Sequence, residues 1–478
     1  MKIDFSQGAY QARSPSSSAE IQINLYAEPG PPDSPHKVSL YPTPGLKLLA
    51  DYTATVSGRC RCLYWASNLQ LYAVFGSTFV RINTDFTNQW LGAIGPDTGY
   101  PVSMVDNGTH IFIVDASPNG WTYDMVGNVF ATCTDPAFYG ATRVDFIDTF
   151  FIFDSPKTQQ WYISNPNDIT FNSLYFVNKE GYNDLIVSIA ALHDMIWVFG
   201  EVTTELWFNA GTPDFPFQRM AQGVLQQGCF SSYSVVVADN AVYWLSQDRH
   251  GHLMMMRGEG YTAKRVSNFA VEQQWSQYDY SSDSVFSMTY QQDGHEFVVV
   301  QFVNVTQTWA YDATTGFWHQ RQTAGSLWRP GAISYWKAGA YTFGGTALTK
   351  MIVAGDSGEA LLYQVDRNTY TDDGQPITRL RTYSHVLNDQ KRLSHNQFVA
   401  AMPGGAHLTP DQVSLSWSDD GGQTFGNPIV QTTNGASNGQ YSWRRLGMAR
   451  DRVYALEWTA TGETALNGAW LEATPADT

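Results

Sequence analysis

The residues most suggestive of chemistry form the segment SDDGGQTF near the C-terminal end of the chain. Ser418, Asp420, Gly422, Thr424 and Phe425 fit the Asp-box pattern, a β-hairpin whose aspartate binds backbone amides across the turn above an aromatic ring. Sialidases carry several such boxes, so a sialidase-like propeller is one hypothesis. Glycoside hydrolysis needs two carboxylates, or a tyrosine nucleophile with an arginine cluster, in one pocket. The sequence signals neither, and we predict a structural hairpin.

A second candidate is the histidine pair in QDRHGHLMMMRGEG. His250 and His252, near Asp248 and Glu259, could share a strand face and bind a metal. Gly251 between them favours a solvated hairpin tip, and the metal role stays open. The acidic turns DFPF, DNGTH, NPNDITF and TDDGQ lack the spacing of a calcium loop, and no G-x-S-x-G or H-E-x-x-H occurs. We predict no catalytic residue, no metal and no cofactor; lectin-like stacking of sugars on surface aromatics is the remaining alternative.

The charge balance of the chain indicates which kinds of partner it can bind. With 28 Lys and Arg against 44 Asp and Glu, the net charge is −16, which disfavours a surface that grips phosphates. An acidic wall would instead let DNA slide past without sticking. The chain is 14% aromatic and only 15% charged, a composition that suits large subunit contacts.

The cysteines and the N-terminal segment indicate a compartment. Four cysteines in 478 residues do not make a disulfide framework, so we predict reduced thiols. Cys60 and Cys62 are two apart and are expected to face the same side of a strand. The opening MKIDFSQGAYQARSP has no apolar signal-peptide core, and no run reaches membrane-spanning length. We predict folding in a cytoplasm.

The elements that must position these residues are all β. Residues 1–50 contain two Ser/Pro/Gly clusters and predict an N-terminal extended arm. Residues 51–370 repeat short aromatic or β-branched runs between turns, and the spacing predicts a β-propeller of six or seven degenerate blades. Residues 371–478 alternate over longer strands and predict a C-terminal β-sandwich. The representative runs of the propeller are LQLYAVF, HIFIVD, TFFIFD, MIWVFG, AVYWLS, EFVVVQF and LLYQVD.

Positive charge concentrates in the predicted sandwich, in the segment WRRLGMARDR. Its four arginines are Arg444, Arg445, Arg450 and Arg452. One interpretation places them at subunit or partner contacts, paired with Asp451 and Glu457. The other is a solvated strand face, and the sequence does not separate the two.

Three stretches, in this order, resemble the tail hub proteins of short-tailed bacteriophages, also called tail nozzle or packaged-DNA stabilisation proteins. They are INLYAEP with KVSLYPTPGLKLL, then VYWLSQDRHGHLMMMRGEGYTAKRVSNFAVEQ, then SDDGGQTF with WRRLGMARDRVYALEWTA and NGAWLEA. The His250-Gly251-His252 sequence departs from the family pattern.

The resemblance implies a structural protein of the virion tail, without enzymatic activity. It implies a homo-oligomeric ring, usually a hexamer, beneath the head-to-tail connector or adaptor protein. The bore of such a ring retains packaged double-stranded DNA and conducts it at ejection, without sequence-specific binding. Tail fibres or spikes dock on the flank of the ring.

Overall fold

A computed structural model describes residues 2–3, 5, 8–34, 36–337, 351–389, 391–402, 412–432 and 439–476. The described chain is built of β-strands, with one α-helix, Phe269–Trp275, and three single 3₁₀ turns. The helix begins where Asn268 accepts hydrogen bonds from the backbone N–H groups of Ala270 and Val271, the usual way to satisfy the first free amides of a helix. The 3₁₀ turns are Ser232–Ser234, Ser282–Ser284 and Val303–Val305.

Seven four-stranded antiparallel blades follow one another along the chain. Blades 1 to 3 are Cys60–Trp65, Leu71–Phe75, Thr78–Ile82 and Asn88–Ala93; Ser103–Asp106, His110–Val114, Gly120–Asp124 and Val129–Thr132; and Val144–Ile147, Phe150–Asp154, Gln160–Ser164 and Phe171–Asn178. Blades 4 and 5 are Ile186–Leu192, Met195–Gly200, Thr204–Asn209 and Phe217–Leu225; and Val236–Ala238, Ala241–Gln247, Leu253–Glu259 and Thr262–Arg265. Blade 6 is Val285–Gln292, His295–Phe302, Gln307–Asp312 and Trp318–Thr323, with a short extra strand Ser326–Leu327.

Blade 7 is assembled from two distant parts of the chain. Pro330–Trp336, Met351–Asp356 and Leu361–Asp366 supply its inner three strands, and Gly45–Asp51, which precedes blade 1, supplies the outermost. The innermost strands of consecutive blades are neighbours, with blade 4 reaching blade 5 through the 3₁₀ turn Ser232–Ser234 and a shared hydrophobic cluster. The innermost strand of blade 7 lies beside that of blade 1. The ring is therefore closed, and the prediction of an all-β propeller with six or seven blades is confirmed with seven.

The core of the propeller is divided among the junctions between blades. A buried hydrophobic cluster fills each of the seven junctions. Trp161 and Trp207 meet at the junction of blades 3 and 4, with ring centroids 5.4 Å apart, and Trp275 and Trp318 meet between blades 5 and 6. Because a blade is covered on both faces, its middle strands read as continuous apolar runs.

The expectation that Cys60 and Cys62 face the same side of a strand is wrong. The pairing of blade 1 shifts between them, so that Cys60 lies opposite Phe75 and Cys62 opposite Val74. This β-bulge inserts Arg61 as an extra residue and reverses the alternation. Cys60 packs in the junction of blades 7 and 1, whereas Cys62 packs against the junction of blades 1 and 2. All four cysteines are free thiols.

The C-terminal part of the chain forms two sheets packed over one core, which confirms the predicted sandwich. One sheet contains Lys2–Ile3, Leu393–Ala401, Gln440–Arg444, Met448–Ala449 and Gly468–Pro475. The other contains Gln22–Ile23, Arg379–Thr382, Val386–Leu387, Gln412–Ser418, Ile429–Thr432 and Asp451–Trp458. Phe398 from the first sheet and Tyr454 from the second meet with ring centroids 4.8 Å apart.

The N-terminal arm ties the propeller to the sandwich. Ile23 pairs in parallel with Gln320 of blade 6 and antiparallel with Leu380 of the sandwich, so one continuous sheet runs through both domains. We call Gln22–Ile23 the staple strand. The arm also forms two hairpins, Tyr10–Gln11 with Ala19–Glu20 and Leu25–Pro29 with Val38–Pro42. The strand Gly45–Asp51, which follows the arm, pairs with the small hairpin Thr371–Asp372 with Gln375–Pro376.

The arm is shorter than the predicted residues 1–50. Gly45–Asp51 is a strand of blade 7, because its backbone completes an antiparallel ladder with Leu361–Asp366. The extended segment therefore ends before Gly45, and the next residues belong to the propeller.

Candidate functional site

The Asp-box segment forms the loop of a hairpin between Gln412–Ser418 and Ile429–Thr432. Ser418 Oγ donates to Asp420 Oδ1 over 2.5 Å, and Thr424 Oγ1 donates to Asp420 Oδ2 over 2.5 Å. The backbone N–H groups of Gln423 and Thr424 add hydrogen bonds of 3.0 Å to Oδ1. These donors hold the pKa of Asp420 well below its usual range. A carboxylate so engaged organises its own turn and is poorly suited to carry a proton.

The same loop rests on the N-terminal arm. Gly421 and Gly422 have φ values of 79° and 87°, in the left-handed region that favours glycine. A Cβ atom on Gly422 would collide with Ala19, and one on Gly421 would reach Ser16. The ring of Phe425 is half-buried. The predicted hairpin residues thus come together as a contact between the sandwich and the arm.

Arg452 is not available for a partner, which corrects one of the four predicted contact residues. It is only 2% exposed and makes a two-pronged ion pair with Asp419, with Nε–Oδ1 and Nη2–Oδ2 distances of 2.6 and 2.7 Å. Because Ser418 pairs with Val453 in the ladder, the next residues on each strand, Asp419 and Arg452, also face one another. Arg452 therefore acts inside the sandwich.

The predicted partners of the arginines are engaged elsewhere or exposed. Asp451 accepts a hydrogen bond from His385 Nδ1 over 2.7 Å, and His385 Nε2 reaches the carbonyl oxygen of Pro15 in the arm. Glu457 is exposed and has Leu380 and Ser414 as its ladder neighbours. Pairing of Arg452 with Asp451 or Glu457, as the sequence suggested, is wrong because the antiparallel register brings Asp419 to it.

Three of the four arginines remain on the surface. Arg444, Arg445 and Arg450 are exposed and lie around one end of the strand Leu393–Ala401. Arg444 pairs with Gln397 in the ladder, and the N–H of Arg445 donates to the carbonyl oxygen of Asn396. The structure thus gathers these three cations at one edge of the sandwich.

The histidine pair lies at an exposed turn of blade 5. Asp248 Oδ1 accepts hydrogen bonds from the N–H groups of His250 and His252, and its Oδ2 lies 3.2 Å from His252 Nδ1. Gly251 has a φ of 82° and forms the bend between them. Within the residues that the structure describes, no group of three or more His, Cys, Asp or Glu side chains is placed to hold a metal ion.

The axial channel of the propeller was not foreseen from the sequence as a separate feature. A cavity of about 550 Å³ is lined by the innermost strands, and Arg61, Arg143 and Asp145 face it. Burial raises the pKa of Asp145 and raises that of nearby Asp154 to about 6.

Asn24 is the key residue that sequence reasoning passed over. Its Nδ2 donates to the carbonyl oxygens of Gln322 and Thr378 over 3.1 and 2.9 Å, and its Oδ1 accepts from the N–H of Gln322 over 2.9 Å. It has a φ of 55°. One side chain thereby joins the arm, blade 6 and the strand entering the sandwich. The only sequence signal was its place in the INLYAEP stretch.

Fold and geometry together define a β-propeller protein with an appended β-sandwich. The carboxylate of Asp420, the residue most suggestive of chemistry, is bonded within its own turn. Residues 1–370 match the family described as "Bacteriophage P22 Gp10, beta-propeller", and residues 379–474 match "Bacteriophage P22 Gp10, beta-sandwich". The chain belongs to the bacteriophage P22 Gp10 family, the tail nozzle or DNA-stabilisation proteins. It is a structural protein of the phage tail, and its place is in the virion.

Solved structures add a likeness of fold only. The WD40 β-propeller domain of Doa1 is 11% identical, with 67% of this chain and 96% of that one covered and a TM-score of 0.41. The computationally designed Ika8 protein is 11% identical, with 67% and 99% covered and a TM-score of 0.38. The β-propeller domain of Myceliophteria thermophila Cps50 (Swd1) is 10% identical, with 67% and 99% covered and a TM-score of 0.42. No functional argument rests on them, and no curated protein matches the chain.

A search for membrane-spanning helices among the described residues gave none that is long and apolar enough.

Proposed function

We propose that this chain is a ring-forming subunit of the phage tail, assembled as a homohexamer beneath the head-to-tail connector. The ring retains packaged DNA, conducts it during ejection and offers a docking surface for fibres or spikes. Its role is structural and not enzymatic, and its virions are assembled in the host cytoplasm. Membership of the P22 Gp10 family over both domains is the observation that carries the proposal.

The charges of the described residues support passage of DNA without adhesion. Several arginines are neutralised by acidic side chains of the same chain: Arg257 with Asp239, Arg265 with Glu272, Arg329 with Asp356 and Asp373, Arg367 with Asp293, and Arg452 with Asp419. A net charge of −16 remains. Phosphate binding grows with each unpaired Lys or Arg that neutralises a phosphate, so a wall of such subunits holds duplex DNA weakly.

The path of the DNA is a further part of the proposal. We place the bore of the proposed ring between subunits, because the innermost strands of one propeller close around a cavity of only about 550 Å³. Each propeller is then a wall segment whose own axis carries no DNA.

The connection between the two domains supports a role in which the subunit bears mechanical force. The staple strand is hydrogen-bonded on both sides, to Gln320 and to Leu380. Buried Arg381 adds a hydrogen bond to Gln22 Oε1 over 3.2 Å and an ion pair with Glu20 over 2.5 Å. A subunit whose domains share one sheet can transmit force from the connector side to a docked fibre without a hinge at this joint.

Imaging of native particles by electron cryomicroscopy tests the proposal. We expect a ring of this chain, with sixfold symmetry, directly below the connector and around DNA density. Absence of the chain from virions, or a stable monomer that binds and turns over glycans, would overturn the proposal and favour a sialidase-like or lectin-like propeller. Particles made without the chain should lose their packaged DNA.

Charge reversal at the exposed arginine edge tests the contact assignment. The double variant Arg444→Glu with Arg445→Glu should reduce incorporation of the chain into particles about tenfold or more, because like charges placed at a contact cost several kcal/mol. Arg249→Glu, an exposed arginine of blade 5, is the matched control and should assemble normally.

Two other results would contradict the assignment. Normal assembly with leaking genomes would mean that these arginines hold DNA. Normal assembly with normal DNA retention would leave Arg444, Arg445 and Arg450 as a solvated strand face.

A further inference from the structure

The outer edges of the blades are not equivalent. The outermost strands of blades 1, 2 and 3 are Asn88–Ala93, Val129–Thr132 and Phe171–Asn178, and none contains Asp, Glu, Lys or Arg. Each is paired on one side only. We call these three strands the neutral rim.

The neutral rim also exposes large apolar side chains. Trp90 is 66% exposed, Val129 57%, Leu174 74% and Phe176 40%. A long strand edge with apolar side chains and no charge is a surface on which another chain can pair or pack. Soluble proteins protect such edges with charges, proline, bulges or a covering segment. The edge ladders of blades 1 and 3 contain a register shift, but the described part of the neutral rim has neither a charge nor a covering segment.

Other blades show that protection. The outermost strand of blade 5 carries Lys264 and Arg265, and that of blade 4 carries Arg219. The outer edge of blade 6 is covered by the staple strand. The outermost strand of blade 7 is Gly45–Asp51, and the hairpin at Thr371–Asp372 lies against it. The bare and neutral edges therefore cluster on one arc of the propeller.

We propose that the neutral rim is a subunit interface, occupied by a second copy of this chain in the ring; this inference rests on the proposed function. A chain with a net charge of −16 repels its own copies. An uncharged apolar face is the surface on which two such copies meet with the least opposition of like charges.

The position of the neutral rim agrees with a closed ring. A cyclic assembly joins two different surfaces of each subunit, one on either flank. Blades follow in chain order around the propeller, so blades 2 and 3 lie across the axis from blade 6, where the sandwich is attached, and blade 1 lies two positions from it. The neutral rim can therefore supply one flank, and the half of the subunit that bears the sandwich can supply the other.

Hydrogen exchange tests whether the neutral rim is covered. Backbone amides of Phe171–Asn178 should exchange about tenfold or more slowly in intact particles than in the isolated chain, because pairing or burial removes them from solvent. Amides of Thr262–Arg265 on blade 5 are the internal control and should change little. Equal exchange of Phe171–Asn178 in both states would overturn this inference while leaving the tail role intact. Absence of the chain from particles would instead defeat the proposed function.

Cross-linking identifies the occupant. In particles built with Leu174→Cys, a reagent that carries one thiol-reactive and one photoreactive group should join two copies of this chain, because the neighbouring flank supplies no cysteine; wild-type particles give the background from the native cysteines. A product that joins this chain only to another tail protein would overturn the homomeric assignment, and so would the absence of any product above background.

A charge variant gives an independent measurement. Leu174→Lys with Phe176→Lys should lower incorporation into particles about tenfold, a loss that corresponds to ~1.4 kcal/mol. Tyr261→Lys, an exposed aromatic of blade 5, should assemble as the parent does. Unchanged thermal unfolding of the isolated double variant shows that its fold is intact. Normal incorporation of that variant would contradict the proposal.

Discussion

At the scale of single residues, several aspartates of this protein organise turns. Asp124, Asp312 and Asp366 each end the third strand of a blade and accept hydrogen bonds from backbone N–H groups two or three residues on. Asp420 does the same in the sandwich. The Asp-box pattern and the acidic turns could be recognised in the sequence because this bonding is local. The partner of Arg452 could not, because it depends on the register of two strands far apart in sequence.

His395 makes the sandwich sensitive to acid. Burial lowers the pKa of His395 to about 4, and its Nδ1 accepts a hydrogen bond from the Tyr454 hydroxyl over 2.9 Å, which requires the neutral ring. The unfolded chain takes up this proton below pH ~6.5 and the folded chain only near pH 4, so stability falls between these values by up to ~1.4 kcal/mol per pH unit.

Substitution of His395 tests this dependence. His395→Gln, which keeps an acceptor for Tyr454, should reduce the loss of stability between pH 7 and pH 5, measured by urea unfolding with tryptophan fluorescence. His250→Gln at the exposed turn of blade 5 is the control and should leave the slope as in the parent. A slope unaltered by His395→Gln would show that other groups cause the acid sensitivity.

At the scale of elements, the second strand of a blade is the most predictable and the arm the least. Six of the seven apolar runs recognised in the sequence are the second strands of blades 1 to 6, buried on both faces. The seventh, LLYQVD, is the third strand of blade 7. The staple strand is only two residues long, and its pairing with Gln320 and Leu380 is nonlocal. No local pattern of residues encodes such a contact.

Removal of the Asn24 side chain should loosen the joint between the domains. Asn24→Ala leaves three partly buried backbone groups of Gln322 and Thr378 without their partner, and a hydrogen bond whose lost partner water can replace is worth ~0.5–1.5 kcal/mol. We expect a loss of about 2–3 kcal/mol in urea unfolding, together with faster proteolysis near residue 378. Asn240→Ala is the matched control, because Asn240 has a similar φ of 52° but is exposed. A similar loss in both variants would mean that backbone strain, and not the joint, sets the cost.

At the scale of the whole molecule, the number of blades was the hardest quantity to read from the sequence. Blades 1 to 6 are continuous in sequence, but blade 7 combines Gly45–Asp51 with strands that end at Asp366. A count of repeats along the chain does not reveal that a strand from before blade 1 completes blade 7. The class of fold could be predicted because each blade repeats the same local rule, an apolar run followed by a turn. The ring that we propose is a further level of structure, and the feature of the subunit that indicates it is the uncharged surface of the neutral rim.

The composite blade 7 also cannot form until most of the chain has been synthesised. Gly45–Asp51 leaves the ribosome roughly 300 residues before its partner Leu361–Asp366, which at ~5–20 residues per second is a delay of about 15–60 s. During that interval the strand has neither of its strand partners, and the growing row of blades has an open end. Unpaired strand edges make incompletely folded chains prone to aggregate. We therefore expect the yield of assembled protein to depend on the rate of translation as well as on the stability of the finished propeller.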